Sequence, residues 1–300
     1  MASLAIMTTT SRTRSTSLVI ALALAATGCA AQGRYIAYDD SRSIEPASRV
    51  VTFVDFFDSG REAVDAFLRD LPEAERSEIE VMLARASDAC ARLTIITSRS
   101  GMNYSQTGAS AVLVRSNAEQ RIRVATAGHS FYGTSSTEIR LMLSDGRQLS
   151  PKKLDSSFDP FASSNGDWAL LEIDDAPKHL TAIPVSAPVQ GELAFLLAYP
   201  SGMGVNAEGD TVYGSAYAQA PLAPIVTIAM VSDTSPLTLT PLAGTLPVGG
   251  ASGGPIVNRS GALIGVLSGT AWSPDRKGAD YWISGATAAS FAEHLASLPD

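Results

Sequence analysis

The sequence predicts an all-β protein, a sandwich or a barrel, with helices before and after the sheet. Three observations carry this. Short β-branched runs recur from Leu93 onward, polar or glycine-containing turns separate them at near-regular spacing, and no long helical pattern interrupts them. The last point argues against a parallel α/β sheet. With 300 residues, 45% hydrophobic and 17% charged, the chain is a folded protein with a sizeable core. Its formal net charge of −8 and pI of about 4.9 argue against nucleic acid as a partner, because phosphate binding needs a basic footprint.

Taken in order, residues 1–28 read as a signal peptide of the lipoprotein type. Arg12 and Arg14 form a positive start, and Ser17 to Ala26 is an apolar run too short to span a membrane. A start at Met7 would make the signal more compact. The small residues before Cys29 resemble a bacterial lipobox, which would make Cys29 the lipidated first residue. Ala26 stands where leucine is commoner, and the alternative is ordinary cleavage near Ala30 or Ala31. The expected location is therefore the bacterial cell envelope through a lipid anchor, or the periplasm or medium without one.

Residues 29–91 are expected to form a tether followed by a helical extension. Ala63, Val64, Phe67 and Leu68 share one face of Glu62–Leu71, and Ile79, Met82, Leu83 and Ala86 mark a second helix from Pro72 to about Ala91. The main domain, 92–300, follows. Its expected strands are 93–97, 109–115, 121–126, 138–143, 147–154, 168–173, 193–198, 211–216, 225–231, 255–257 and 262–267. An amphipathic helix over 287–298 closes the chain, with Phe291 and Leu295 on its apolar side. There are two cysteines, Cys29 and Cys90. If Cys29 carries lipid, no internal disulfide forms, and Cys90 is expected to be a small buried hydrophobe. Two cysteines cannot build a four-cysteine zinc site, and no metal or organic cofactor is expected.

The chemistry centres on Val248-Gly-Gly-Ala-Ser-Gly-Gly-Pro255. Glycines allow a tight turn that presents the Ser252 hydroxyl and lets nearby amides converge on one point. Taken alone, the run is equally a glycine-rich hairpin turn. A base is available in His129, at the end of the apolar run Val124-Ala-Thr-Ala-Gly-His129. An acid is available in Asp167, just before the apolar run Trp168–Ile173. His179 and His294 are expected to be structural.

Thr126-Ala-Gly-His129, Asp167-Trp-Ala-Leu-Leu171 and Gly250-Ala-Ser-Gly-Gly-Pro255 resemble, in this order, the three signature segments of the trypsin/chymotrypsin-like serine proteases, of the bacterial exported, disulfide-poor type. The resemblance covers Leu93 to the C-terminal helix. It implies two antiparallel six-stranded β-barrels, the first bringing His129 and Asp167 and the second Ser252. It implies a serine-type endopeptidase acting on protein or peptide substrates. Ser252 would be the nucleophile, His129 the general base and acid, and Asp167 the group that orients His129. The backbone N–H groups of Gly250 and Ser252 would form the oxyanion hole. Ser268 would support Asp167, and the backbone from Gly269 would pair with an extended substrate.

Departures from the family pattern are informative. Ser130 stands where many members have a disulfide cysteine. Ala251 replaces the aspartate that grips a newly cut N-terminus in digestive members, so that activation device is missing. Leu246 and its neighbours provide no acid for a cationic P1 residue, which favours a small or apolar one. Two rival readings remain. One is a protease fold kept as a catalytically idle binding module. The other is an esterase, since Gly250–Gly254 also fits the G-x-S-x-G elbow of α/β-hydrolases, with Asp275 or Asp280 and His294 as partners. That elbow needs a helix after the serine, whereas another strand is expected there.

Overall fold

The computed structural model describes residues 53–99, 103–115, 121–132, 137–159, 164–174, 176–177, 179–199, 204–205, 211–212, 223–245, 247, 249–272 and 281–297. The signal, Cys29 and the tether lie outside these residues, as do Leu246 and the end of the expected 211–216 strand. Two helices lead the described chain, α1 (Phe53–Arg69) and α2 (Glu73–Ala89). Glu73 and Glu75 in the first turn of α2 suit the positive end of its dipole. The helix passes into the first strand without a loop, the Cys90 N–H bonding back to the Ala86 and Ser87 carbonyls.

The first barrel is a curled antiparallel sheet. Its strands are β1 (Cys90–Arg99), β2 (Asn103–Arg115), β3 (Ile122–Thr126), β4 (Thr137–Met142), β5 (Gln148–Leu149), β6 (Lys152–Ser157) and β7 (Trp168–Glu172), in the order β5-β4-β1-β2-β3-β7-β6. Six strands were expected, and the extra one has a local cause. Pro151 has no N–H to give a ladder, so the expected 147–154 strand breaks into β5 and β6. β5 pairs with β4 and β6 with β7. The two sheet edges are thus successive pieces of one bent segment, separated by Ser150 and Pro151. The sheet must curl through most of a circle to bring them there.

The second barrel closes fully. β8 (Leu193–Ala198), β11 (Ile225–Thr234), β12 (Leu237–Gly244), β13 (Pro255–Asn258), β14 (Leu263–Trp272) and β15 (Tyr281–Thr287) run β11-β12-β15-β14-β13-β8. A short hairpin, β9 (Gly204–Val205) and β10 (Thr211–Val212), lies apart from both barrels. The strands β12 and β15 have no counterpart in the sequence reading. Pro241 disguises the first, and the second merges into the helical pattern after Thr287. β8 reads Leu-Ala-Phe-Leu-Leu-Ala because both its faces are covered. Ala194, Leu196 and Ala198 fill the second barrel, while Phe195 and Leu197 join the core shared with the first barrel and the helices.

The connection between barrels is tied to each. Ile183 exchanges backbone bonds with Leu113 and Arg115 of β2, and Pro184 and Ser186 bond to Leu263 of β14. The last helix, α3 (Ala288–Ser297), crosses back to the first barrel. Phe291 packs against Trp168 at 6.1 Å between centroids, and His294 meets Asp155 at 2.9 Å. His294 is thus an exposed residue beside Trp168, and His179 sits in the exposed connection next to Arg147. Cys90 is fully buried, and burial pushes its thiol far above its ordinary pKa.

Residues 53–89 pack on both barrels. α1 lies on β11 and β12 with Gly60, Val64 and Leu68 buried. α2 contacts β1, β2 and β8, and Glu75 pairs with Arg259 in the turn between β13 and β14. Gly60 sets the closeness of the α1 contact: a Cβ there would lie 1.7 Å from Thr245 Oγ1 and 3.0 Å from Thr245 Cα. Helix propensity alone favours alanine over glycine by about 1 kcal/mol. Gly60→Ala is nevertheless expected to destabilise the protein by about 1–3 kcal/mol through overpacking, read as a lower thermal midpoint. A raised midpoint would show that α1 is not seated so closely.

Candidate active site

His129 lies in a single 3-10 turn, Gly128–Phe131, that follows β3. Asp167 joins another such turn, Ser164–Gly166, to β7. Since β3 and β7 are neighbours in register, Thr126 opposite Ala169, both residues emerge at the same end of the first barrel. Asp167 is fully buried. Its Oδ1 accepts the backbone N–H of His129 at 2.7 Å, and its Oδ2 lies 2.7 Å from His129 Nδ1. The Ser268 hydroxyl donates to Oδ2 from the second barrel.

Ser268 reaches the carboxylate because the β14–β15 ladder slips between Leu267 and Gly269. A bulge of this kind re-aims one side chain, here inward toward the other barrel. An ionised carboxylate can only accept hydrogen bonds. Opposite an ionised carboxylate, a neutral imidazole carries its proton on Nδ1, and Nε2 is then the lone-pair nitrogen. That Nε2 is buried and has no hydrogen-bond partner among the described residues. Phe158 stacks edge-on to the imidazole at 5.9 Å, and the exposed Tyr132 stacks on Phe158 at 5.2 Å.

Ser252 is 2% exposed, in the turn between β12 and β13. Gly250 and Gly253 flank it with φ of +88° and +81°, a conformation that side chains resist. Gly253 also has to be small: a Cβ there would lie 2.1 Å from Thr126 Oγ1 and 2.8 Å from the Ala127 nitrogen. The serine turn therefore rests on the backbone that leads into His129. The hydroxyl and the imidazole are not hydrogen-bonded to each other; catalytic bonds of this kind often tighten only when substrate binds.

The turn is pinned by backbone bonds. Gly254 N–H donates to the Ala251 carbonyl at 3.0 Å, Gly253 N–H to Leu267 at 2.7 Å, and Ser110 N–H to the Ser252 carbonyl at 2.7 Å. Gly269 continues β14 opposite Ser284. Pairing of β14 with β13 ends at Val266, and the Gly253-Gly254 backbone takes the Leu267 amide and carbonyl. The ladder with β15 runs on to Trp272, so residues 268–272 outrun β13.

Residues 109–266, just over half the chain, match the trypsin-like peptidase domain. The chain belongs to that family. A comparison with curated proteins gives no match. The match contains His129, Asp167 and Ser252. In this trypsin-like domain, strand Pro255–Asn258 follows the serine, where the α/β-hydrolase elbow requires a helix. His294, the base that reading needs, contacts Asp155 and Trp168 instead, and Asp275 and Asp280 lie outside the described residues. The α/β-hydrolase alternative is therefore overturned. Sequence reasoning missed Ser110 and the Phe158–Tyr132 pair, and gave Thr126, though part of the His129 segment, no role of its own. The run of small residues Gly108-Ala-Ser-Ala111 was the available signal, since small side chains in a strand mark close approach of another backbone.

The carboxylate geometry yields a direct test. In the unmodified protein, 15N NMR of the neutral His129 ring should show Nδ1 protonated and Nε2 bare. Asp167→Asn offers an amide in place of the carboxylate and should move the proton to Nε2. An unchanged tautomer in the variant would show that Asp167 does not set it.

Proposed function

We propose that this trypsin-like protein is a serine endopeptidase that cleaves peptide bonds in protein or peptide substrates. The observation that carries the proposal is the three-bonded Asp167 carboxylate. It fixes the ring of His129 and leaves Nε2 bare at the junction of the barrels. A bare, buried imidazole nitrogen is a base awaiting a proton, and the Ser252 turn abuts the segment that carries it.

In this reading His129 Nε2 takes the Ser252 Oγ proton as Oγ attacks the substrate carbonyl. The imidazolium is stabilised by the Asp167 carboxylate, which keeps its charge. The carbonyl oxygen becomes an oxyanion received by the N–H groups of Gly250 and Ser252. His129 then gives its proton to the leaving amine, and water attacks the acyl-enzyme by the reverse sequence. The part of β14 that outruns β13 from Gly269 supports binding of the substrate as an added antiparallel strand. A small or apolar P1 residue fits the lack of an acid around Leu246. His129→Ala and Ser252→Ala should each lower kcat by about 10⁶-fold with the fold retained. Peptide-library cleavage followed by mass spectrometry is the readout, with fluorophosphonate labelling of Ser252 as a check. Unchanged cleavage by either variant removes the assignment. Turnover of nitrophenyl esters without any peptide cleavage would favour an esterase, and a biological effect retained in Ser252→Ala would favour a binding module.

We further propose that the chain is exported and anchored by a lipid on Cys29, with residues 1–28 removed. The arginines before a short apolar run and the small residues before Cys29 support this. Cys29→Ser should shift the protein from the membrane fraction to the soluble fraction; continued sedimentation with membranes would exclude the anchor.

A further inference from the structure

The Ser110 side chain is used by nothing in the proposed reaction, yet it is completely buried against the serine turn. Its hydroxyl donates to the Gly250 carbonyl at 3.1 Å and accepts the Tyr199 N–H at 2.8 Å. Its backbone N–H holds the Ser252 carbonyl at 2.7 Å, and its own carbonyl accepts the Thr126 hydroxyl at 2.7 Å. One residue of β2 thus reaches the turn that carries Ser252, the first residue after β8 and the end of β3.

Consider what these bonds do to the peptide planes around Ser252. In a trans peptide the C=O and the following N–H point in opposite directions. The Ala251 carbonyl is held by Gly254 N–H, so the Ser252 N–H is aimed the other way. The planes on either side of that peptide carry the Gly250 and Ser252 carbonyls, and Ser110 holds both of them. Gly250 has the wide conformational freedom of glycine, and its φ is +88°. Without a donor on its carbonyl, the Gly250–Ala251 plane is free to rotate, and the two amides on either side lose their common aim.

We infer that Ser110 is a positioning residue for the oxyanion hole, acting through the Gly250 carbonyl. The inference rests on the proposed peptidase reading. It places the control of an anion-binding turn of the second barrel in a hydroxyl of the first. Ser110 does not touch the substrate. It keeps two amide donors converging on the point where negative charge develops.

The test compares the unmodified protein with Ser110→Ala, and with Ser110→Cys, which keeps the volume with only a weak donor. Active molecules are counted by end-point fluorophosphonate titration, so that misfolded molecules do not enter the rates. Loss of a whole oxyanion-hole donor costs about 10²–10³-fold in kcat. Loosening two donors through one carbonyl should cost about 10- to 100-fold in Ser110→Ala, with KM within about twofold and Ser110→Cys in between. Affinity for a peptidyl trifluoromethyl ketone, which binds as an oxyanion adduct, should fall in parallel with kcat. A Ser110→Ala protein with a lower thermal midpoint but unchanged kcat per titrated site would overturn the inference, as would a rise in KM at constant kcat. An unmodified protein inert toward both fluorophosphonate and peptides would instead overturn the peptidase reading and this inference with it.

Discussion

A carboxylate buried where two barrels meet is the constraint on which the rest of the arrangement depends. Asp167 has no exposed surface, and its two oxygens receive three bonds, two from His129 and one from Ser268. A buried charge is costly unless its acceptor capacity is used. The first barrel alone cannot use it fully, because the Ser268 hydroxyl comes from β14 of the second. Docking of the barrels and completion of the site are therefore one event. The backbone and side-chain bonds of Ser110 act across the same seam in the opposite sense, from the first barrel to the second.

The surrounding structure holds that seam closed from several directions. The connection between barrels is stitched to β2 on one side and β14 on the other. The C-terminal helix leaves the second barrel and packs its Phe291 on Trp168, the residue next to Asp167. α2 bridges strands of both barrels, and α1 presses Gly60 and Val64 against Gly244 and Thr245. Thr245 is itself tied to β11, its N–H bonding to the Val226 carbonyl and its carbonyl receiving the Thr227 hydroxyl. This brace lies five residues before Gly250. Among the described residues no buried ion pair orders the serine turn, where Ala251 takes the place of an acid. Packing of the N-terminal helices, the bonds of Ser110 and the backbone bonds of Gly253 and Gly254 order it instead.

Much of the fold was legible because its causes are local. Leu93–Thr97, Ala109–Arg115 and Trp168–Ile173 are apolar and β-branched, so their strands follow from pattern. Pro151 hid a corner that the same pattern read as one strand, and β12 and β15 were hidden by Pro241 and by the helical run after Thr287. His129, Asp167 and Ser252 stood out because each is a reactive side chain next to glycine and an apolar run. Ser110 did not stand out, since a hydroxyl inside an apolar strand looks like any other small residue until its partners are known. Phe158 and Tyr132 read as ordinary aromatics for the same reason.

The chain order of histidine, acid and serine, the all-β texture and the glycines of the serine turn were determined by sequence alone, because each depends on a few adjacent residues. The resemblance had already assigned Asp167 to His129 and Ser268 to Asp167; only the tertiary structure decided that a bulge in β14 delivers Ser268 and that a β2 hydroxyl holds the Gly250 carbonyl. Those contacts join residues 38, 101 and 140 positions apart. No local pattern encodes such separations; they arise when curled sheets bring distant strand ends to one buried seam, where every polar group must find a partner.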